Sequence, residues 1–147
     1  MLSTPIPAGY HTMTPCVTVQ GAEKLIDFLK QVFAATEIER LAHADGTIQH
    51  AEVRIGDSVL MLSEARGEWK PRPAAFYVYV REVEVTYKQA LAAGATALME
   101  PANTFYGNRE SGVEDQFGNY WWIATCIEAV SSEEIQRRAA AQMKVGS

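Results

Sequence analysis

The chain has 147 residues, of which 48% are hydrophobic and 21% charged, with a formal net charge of −5. These are the proportions of a soluble domain of ordinary size, or of two small modules sharing a core. The negative charge argues against a nucleic-acid partner, whose phosphates it would repel, and no apolar run approaches the roughly 20 residues that span a bilayer.

Residues 1–13 read as an arm punctuated by proline and glycine, with neither the cationic start nor the apolar stretch of a secretory signal. Residues 14–64 form a first module. Pro15 to Val19 is a short β-rich run. GAEKLIDFLKQVF then places Ala22, Leu25, Ile26, Leu29, Val32 and Phe33 at helical spacing, an amphipathic helix. Thr36 to Ala42 is a strand, Asp45–Gly46 a two-residue hairpin signal, and Thr47 to Ile55 the next strand. Gly56–Asp57 is a second tight turn before the strand Ser58 to Ser63. Residues 65–73, polar and with two prolines, read as a linker.

Residues 74–127 form a second module. Ala75 to Val80 is a strand, Glu82 to Ala93 a helix stopped by Gly94, and Thr96 to Glu100 a strand ended by Pro101. Phe105 to Arg109 reads as a turn, followed by strands Gly112 to Asp115 and Tyr120 to Thr125. Residues 128–147 hold a last helix opened by the capping box Ser131–Ser132–Glu133–Glu134. Asp115 is expected to cap the Gly118 turn.

The halves repeat. VQGAEKLIDFLKQVFAATEIE parallels VREVEVTYKQALAAGATALME, and IGDSVLML parallels FGNYWWIA, with Gly56 matching Gly118. A repeat outranks local propensity as a sign of topology. The predicted fold is α+β: two tandem βαβββ modules forming an open, cup-shaped partial barrel, plus a C-terminal helix. Strand side chains alternate faces. The side chains assigned to the cup are Cys16 and Thr18; His50, Glu52 and Arg54; Val59, Met61 and Ser63; Ala75, Tyr77 and Tyr79; and Tyr120, Trp122 and Ala124.

This duplicated pattern resembles the vicinal oxygen chelate superfamily, which holds glyoxalase I, the bleomycin-resistance proteins and extradiol dioxygenases, and within it the PhnB-like branch. The residues behind the likeness are HAEVRIGDSVLML (His50 to Leu62), FYGNR (Phe105 to Arg109), and DQFGNYWWIAT (Asp115 to Thr125) followed by VSSEEIQRR (Val130 to Arg138). The resemblance implies a divalent metal held by His, Glu or Gln at four strand positions. Those positions fall on Thr14, Met61, Ala75 and Trp122 here. None is a ligand of the expected type: methionine sulfur suits soft ions and an indole N–H coordinates nothing. No metal or other cofactor is therefore expected. The resemblance also implies a homodimer.

An aromatic and sulfur-lined cup suits a flat organic ligand. The ligand-binding candidates are Met61, Tyr77, Tyr79, Tyr106, Asn108, Arg109, Tyr120 and Trp122. Arg109 is expected over the cup mouth, gripping a carboxylate or phosphate, or else pairing with Glu110, Glu114 or Asp115. His50 and Glu52 are the only catalytic candidates. Against that role stands a structural histidine, with Glu52 and Arg54 pairing at the rim. Cys16 and Cys126, with no CxxC, are read as buried, inert thiols of a reducing cytoplasm. The expected function is binding of a small aromatic or anionic organic molecule without metal. The alternative is a metal-dependent lyase, isomerase or dioxygenase with relocated ligands.

Overall fold

A computed structural model of the chain describes residues 4–146; the first three residues of the predicted arm and the last residue of the tail lie outside it. The chain divides into two compact units. The first takes the residues up to Ala74 together with Gln116–Asn119; the second takes Ala75–Asp115 and the residues from Tyr120 onward.

In the first unit the elements run β1 (Cys16–Val19), α1 (Ala22–Phe33), β2 (Thr36–Ala42), β3 (Ile48–Ile55) and β4 (Ser58–Glu64). They form one four-stranded sheet of order β1-β4-β3-β2. β1 runs parallel to β4, and the other neighbours are antiparallel. The helical stripe predicts the packing: Leu25, Ile26, Leu29 and Val32 are buried with Val17, Val19, Ala51, Val53 and Leu62. Each such aliphatic contributes about 1.5–3 kcal/mol when withdrawn from water.

Gly21 has no side chain with which to cap α1. Glu64, at the end of β4, supplies the cap: its carboxylate accepts the Gly21 N–H at 2.9 Å and the Ala22 N–H at 3.0 Å. An anion at this end also complements the helix dipole. The hairpin at Asp45–Gly46 is one residue longer than the sequence suggests. Gly46 N–H reaches His43 O at 3.0 Å and Gly46 sits at φ 89°, the turn-plus-bulge of a three-residue loop.

The predicted linker is likewise not a free tether. Arg72 exchanges both backbone hydrogen bonds with Thr18, at 2.7 and 3.3 Å, and so extends the sheet at its β1 edge. Asn119 Oδ1 accepts the Ala74 N–H at 2.9 Å. A Cβ on Gly21 would meet the Phe117 ring at 3.0 Å, so that glycine lets Phe117 settle against the start of α1. Cys16, placed by the sequence reading among buried thiols, is exposed.

In the second unit the elements are β5 (Ala75–Tyr79), α2 (Val83–Ala92), β6 (Thr96–Asn103), β7 (Asn108–Glu114), β8 (Tyr120–Cys126) and α3 (Ser132–Gly146). The sheet order β5-β8-β7-β6 repeats that of the first unit, again with its first and last strands parallel. α2 packs on β6, β7 and β8. Val83, Tyr87, Ala90, Val113, Trp121 and Ile123 are buried. The Trp121 ring stacks on Phe76 with centroids 4.4 Å apart, and its indole N–H donates to Asp115 Oδ2 at 2.8 Å.

Two strand boundaries differ from expectation. β6 continues through Pro101 to Asn103. An edge strand tolerates a residue without an N–H, and the ladder shifts register between Met99 and Ala102. β7 begins at Asn108, not Gly112, because the turn before it closes early. Thr104 N–H donates to Asn108 O at 2.7 Å, and the Asn108 N–H donates back to Thr104 Oγ1 at 3.0 Å. Gly107 permits the closure at φ 98°. Cys126, like Cys16, is exposed.

Half of the predicted capping box forms. The Glu134 N–H donates to Ser131 Oγ at 3.2 Å, but the Glu134 carboxylate turns to Arg137 and Arg138, which hold it down to about 2. Among the described residues no helix is long and apolar enough to cross a membrane.

Candidate functional site

The second sheet has one face under α2 and one turned away from it. Because Trp121 and Ile123 enter the core, alternation sends Tyr120, Trp122 and Ala124 to the other face. Register fills in the rest. Tyr77 lies beside Trp122 on β5, Gly112 stands opposite Trp122 on β7, and Glu110 stands opposite Ala124.

Trp122 lies where a side chain at position 112 would be: a Cβ on Gly112 would come within 2.3 Å of the indole Cζ3. Tyr120 meets Trp122 edge-on, with centroids 6.4 Å apart, and Tyr77 meets Tyr79 at 5.3 Å. Three of these rings are strongly exposed: Tyr77 is 43%, Tyr79 64% and Tyr120 41% accessible. Core packing alone would not leave them so.

Beside the rings sits a polar centre. Glu110 is nine-tenths buried. Tyr77 Oη donates to its Oε1 at 2.5 Å, and Tyr106 Oη donates to the same oxygen. Asn108 Nδ2 in turn donates to Tyr77 Oη at 2.8 Å. Burial, then the neighbouring Glu110 carboxylate, push both phenols above their ordinary pKa. They therefore remain hydrogen-bond donors throughout the physiological range.

Among the sequence candidates, Tyr77, Tyr79, Tyr106, Asn108, Tyr120 and Trp122 share this neighbourhood. Arg109 does not. One residue from Glu110 on β7, it takes the opposite face, donating through Nε to Glu84 on α2 and through Nη1 to Asn103 Oδ1 at 3.0 Å. None of the three acidic partners expected for it is the one it has. The sequence reading missed Glu110 as a site residue because it began β7 after it. Alternation carried back from Gly112 is the signal that finds it.

The remaining candidates lie in the first unit, on the sheet face turned away from α1. His50 Nε2 and Glu52 Oε2 are 2.8 Å apart, and Tyr10 Oη donates to the other Glu52 oxygen. Tyr10, then His50, hold the Glu52 carboxyl below its ordinary range. Met61 stands opposite Glu52 on β4. The expected Glu52–Arg54 pair is not made: Arg54 Nη1 donates to Gly9 O at 3.3 Å instead, so Gly9 and Tyr10 lie against β3. No sequence periodicity announces Tyr10, which sits in an aperiodic segment.

The divalent metal that the family resemblance implies finds no matching donors at the four implied positions. Thr14, Met61, Ala75 and Trp122 lack the nitrogen and carboxylate donors a divalent ion requires. Among the described residues no group of three or more His, Cys, Asp or Glu side chains is arranged to hold one.

The fold agrees with that of known proteins. The Glyoxalase/Bleomycin resistance protein/Dioxygenase superfamily matches residues 10–123, and the chain belongs to it. An uncharacterized protein of Mycobacterium tuberculosis strain H37Rv is 28% identical over 141 residues, covering 88% of this chain and 83% of that one. Among solved structures, TioX from Micromonospora sp. ML1 superposes with a TM-score of 0.67 at 22% identity, covering 80% of this chain and 99% of that one. TnmS3, an antibiotic binding protein from Streptomyces sp. CB03234, superposes at 0.63 with 19% identity, covering 84% and 98%.

Proposed function

We propose that the protein binds a small planar aromatic molecule against the tyrosine–tryptophan face of its second unit and holds it without a metal. The observation that carries this reading is the exposure of Tyr77, Tyr79 and Tyr120 around an indole held over Gly112. Well-formed aromatic pairs contribute about 0.5–1.5 kcal/mol each beyond area burial. The likeness to TnmS3, an antibiotic binding protein, supports a binding role for this fold. The donor chemistry at Thr14, Met61, Ala75 and Trp122 supports the metal-free part and disfavours a metal-dependent lyase, isomerase or dioxygenase. An anionic ligand is disfavoured on this face, since Arg109 is committed to Glu84 on the other side of β7.

The reading extends to a cytoplasmic homodimer. The free thiols of Cys16 and Cys126 suit a reducing compartment, and the dimer rests on the family likeness.

The test is a fluorescence titration with a panel of tricyclic aromatics against the native chain and Trp122→Ala. Saturable binding that the variant weakens at least tenfold is expected. A panel without a binder, or equal binding by both chains, overturns the proposal.

A further inference from the structure

We propose that this face selects aromatic ligands that carry a positively charged nitrogen, the nitrogen meeting the second carboxylate oxygen of Glu110 while the rings lie along Trp122 and the neighbouring tyrosines. The inference rests on the binding role proposed above and names its ligand class. Three observations carry it.

Both phenols that reach Glu110 converge on a single oxygen, Oε1. Among the described residues no hydrogen bond is made to Oε2, although the residue is nine-tenths buried. Oε2 is not a buried orphan, since among the described residues no buried side-chain oxygen lacks a partner; it keeps a path to solvent, and by that path a ligand N–H can reach it. A charged N–H does so through the stronger, charge-assisted bond.

The surroundings favour a cation over a neutral donor. Glu114 stands opposite Tyr120 on the same face and adds a second carboxylate. The faces of Tyr77, Tyr79 and Trp122 present the negative side of their ring quadrupoles. Arg109 pairs with Glu84, Arg137 with Glu134 and Arg138 with Glu128, and among the described residues no Lys or Arg forms an ion pair with Glu110. None supplies a competing positive charge to the Glu110 carboxylate.

The spacing also fits. Glu110 and Gly112 are two residues apart on one face of β7, a rise of about 7 Å, and Trp122 lies over Gly112. A ring system on the indole therefore brings a substituent nitrogen within reach of Glu110.

The experiment compares two tricyclic probes of one shape, 9-aminoacridine, cationic at neutral pH, and acridine-9-carboxylate, by fluorescence titration of the native full chain. The amine is expected to bind at least tenfold more tightly, with a preference that shrinks as salt is raised. Glu110→Gln, whose fold is checked by its melting curve, is expected to weaken the amine about tenfold and to leave the carboxylate unchanged or improved. Equal or tighter binding of the carboxylate overturns this inference alone, as does a preference that survives Glu110→Gln. Binding of neither probe overturns it together with the binding role. If Glu110→Gln does not fold, the native preference and its salt dependence decide the matter.

Discussion

Trp122 lies over the α-carbon of Gly112, so closely that a methyl group there would fall 2.3 Å from the indole. Gly112 is needed for this close approach and not for its backbone angles, since it is not among the residues at positive φ. Gly112→Ala should push the indole off the strand, at a cost of about 1–3 kcal/mol from overpacking. Urea unfolding measures that cost. Titration of the same variant with a tricyclic probe should show affinity falling with it.

Arg109 separates the two uses proposed for the stretch around it. Its side chain engages Glu84 and Asn103 behind the sheet. Solvent-exposed ion pairs of this kind contribute little to stability. Arg109→Ala should therefore lower stability only slightly and leave probe affinity within about twofold of native, since a contact that never touches the ligand adds nothing to its binding. A tenfold loss would place the guanidinium at the ligand after all.

Glu64 gives α1 the cap that Gly21 lacks. Glu64→Ala leaves the N–H groups of Gly21 and Ala22 without their carboxylate. The expected loss is about 1–2 kcal/mol in chemical denaturation, the range for removing an N-cap. Glu64→Gln should recover part of it, since an amide oxygen still accepts one N–H but brings no charge to the helix dipole.

The Tyr10–Glu52 contact predicts a pH window. Hydrogen bonds from Tyr10 and His50 depress the Glu52 carboxyl, so its stabilising contribution is present above the ordinary glutamate range and is lost as pH falls through the lowered folded value. The same Glu52 bond raises the Tyr10 phenol, so that contribution is present below the ordinary phenol range and is lost as pH rises through the raised value. The stability difference between native and Tyr10→Phe should be widest near neutrality and narrow toward both extremes. Paired melting curves across pH measure it. A difference independent of pH would show that the bond contributes nothing.

Periodicity made much of the fold readable. Leu25, Ile26, Leu29 and Val32 announce α1, and β2 is observed over the same residues, Thr36–Ala42, that its composition suggested. The paired halves IGDSVLML and FGNYWWIA announced two sheets of one strand order, as found. What stayed hidden was set by contacts distant in sequence or by edge geometry. Glu64 reaches Gly21 from 43 residues away. Pro101 looks like a strand end but lies on an edge, where its missing N–H costs nothing. FYGNR looks like an extended turn, yet Thr104 and Asn108 close it early and bring Glu110 into the ladder. Both cysteines lie in or at strands whose residues face outward there, and local hydropathy does not distinguish that from burial.

The short stretch Gln116–Asn119 is encoded in the second half of the chain and built into the first unit, where Asn119 holds the Ala74 backbone and Phe117 sits against Gly21. A gene cut after codon 74 would thus give a leading fragment without part of its own body, while the trailing fragment carried a hairpin tip that belongs elsewhere. Each fragment would lack contacts that the intact chain supplies.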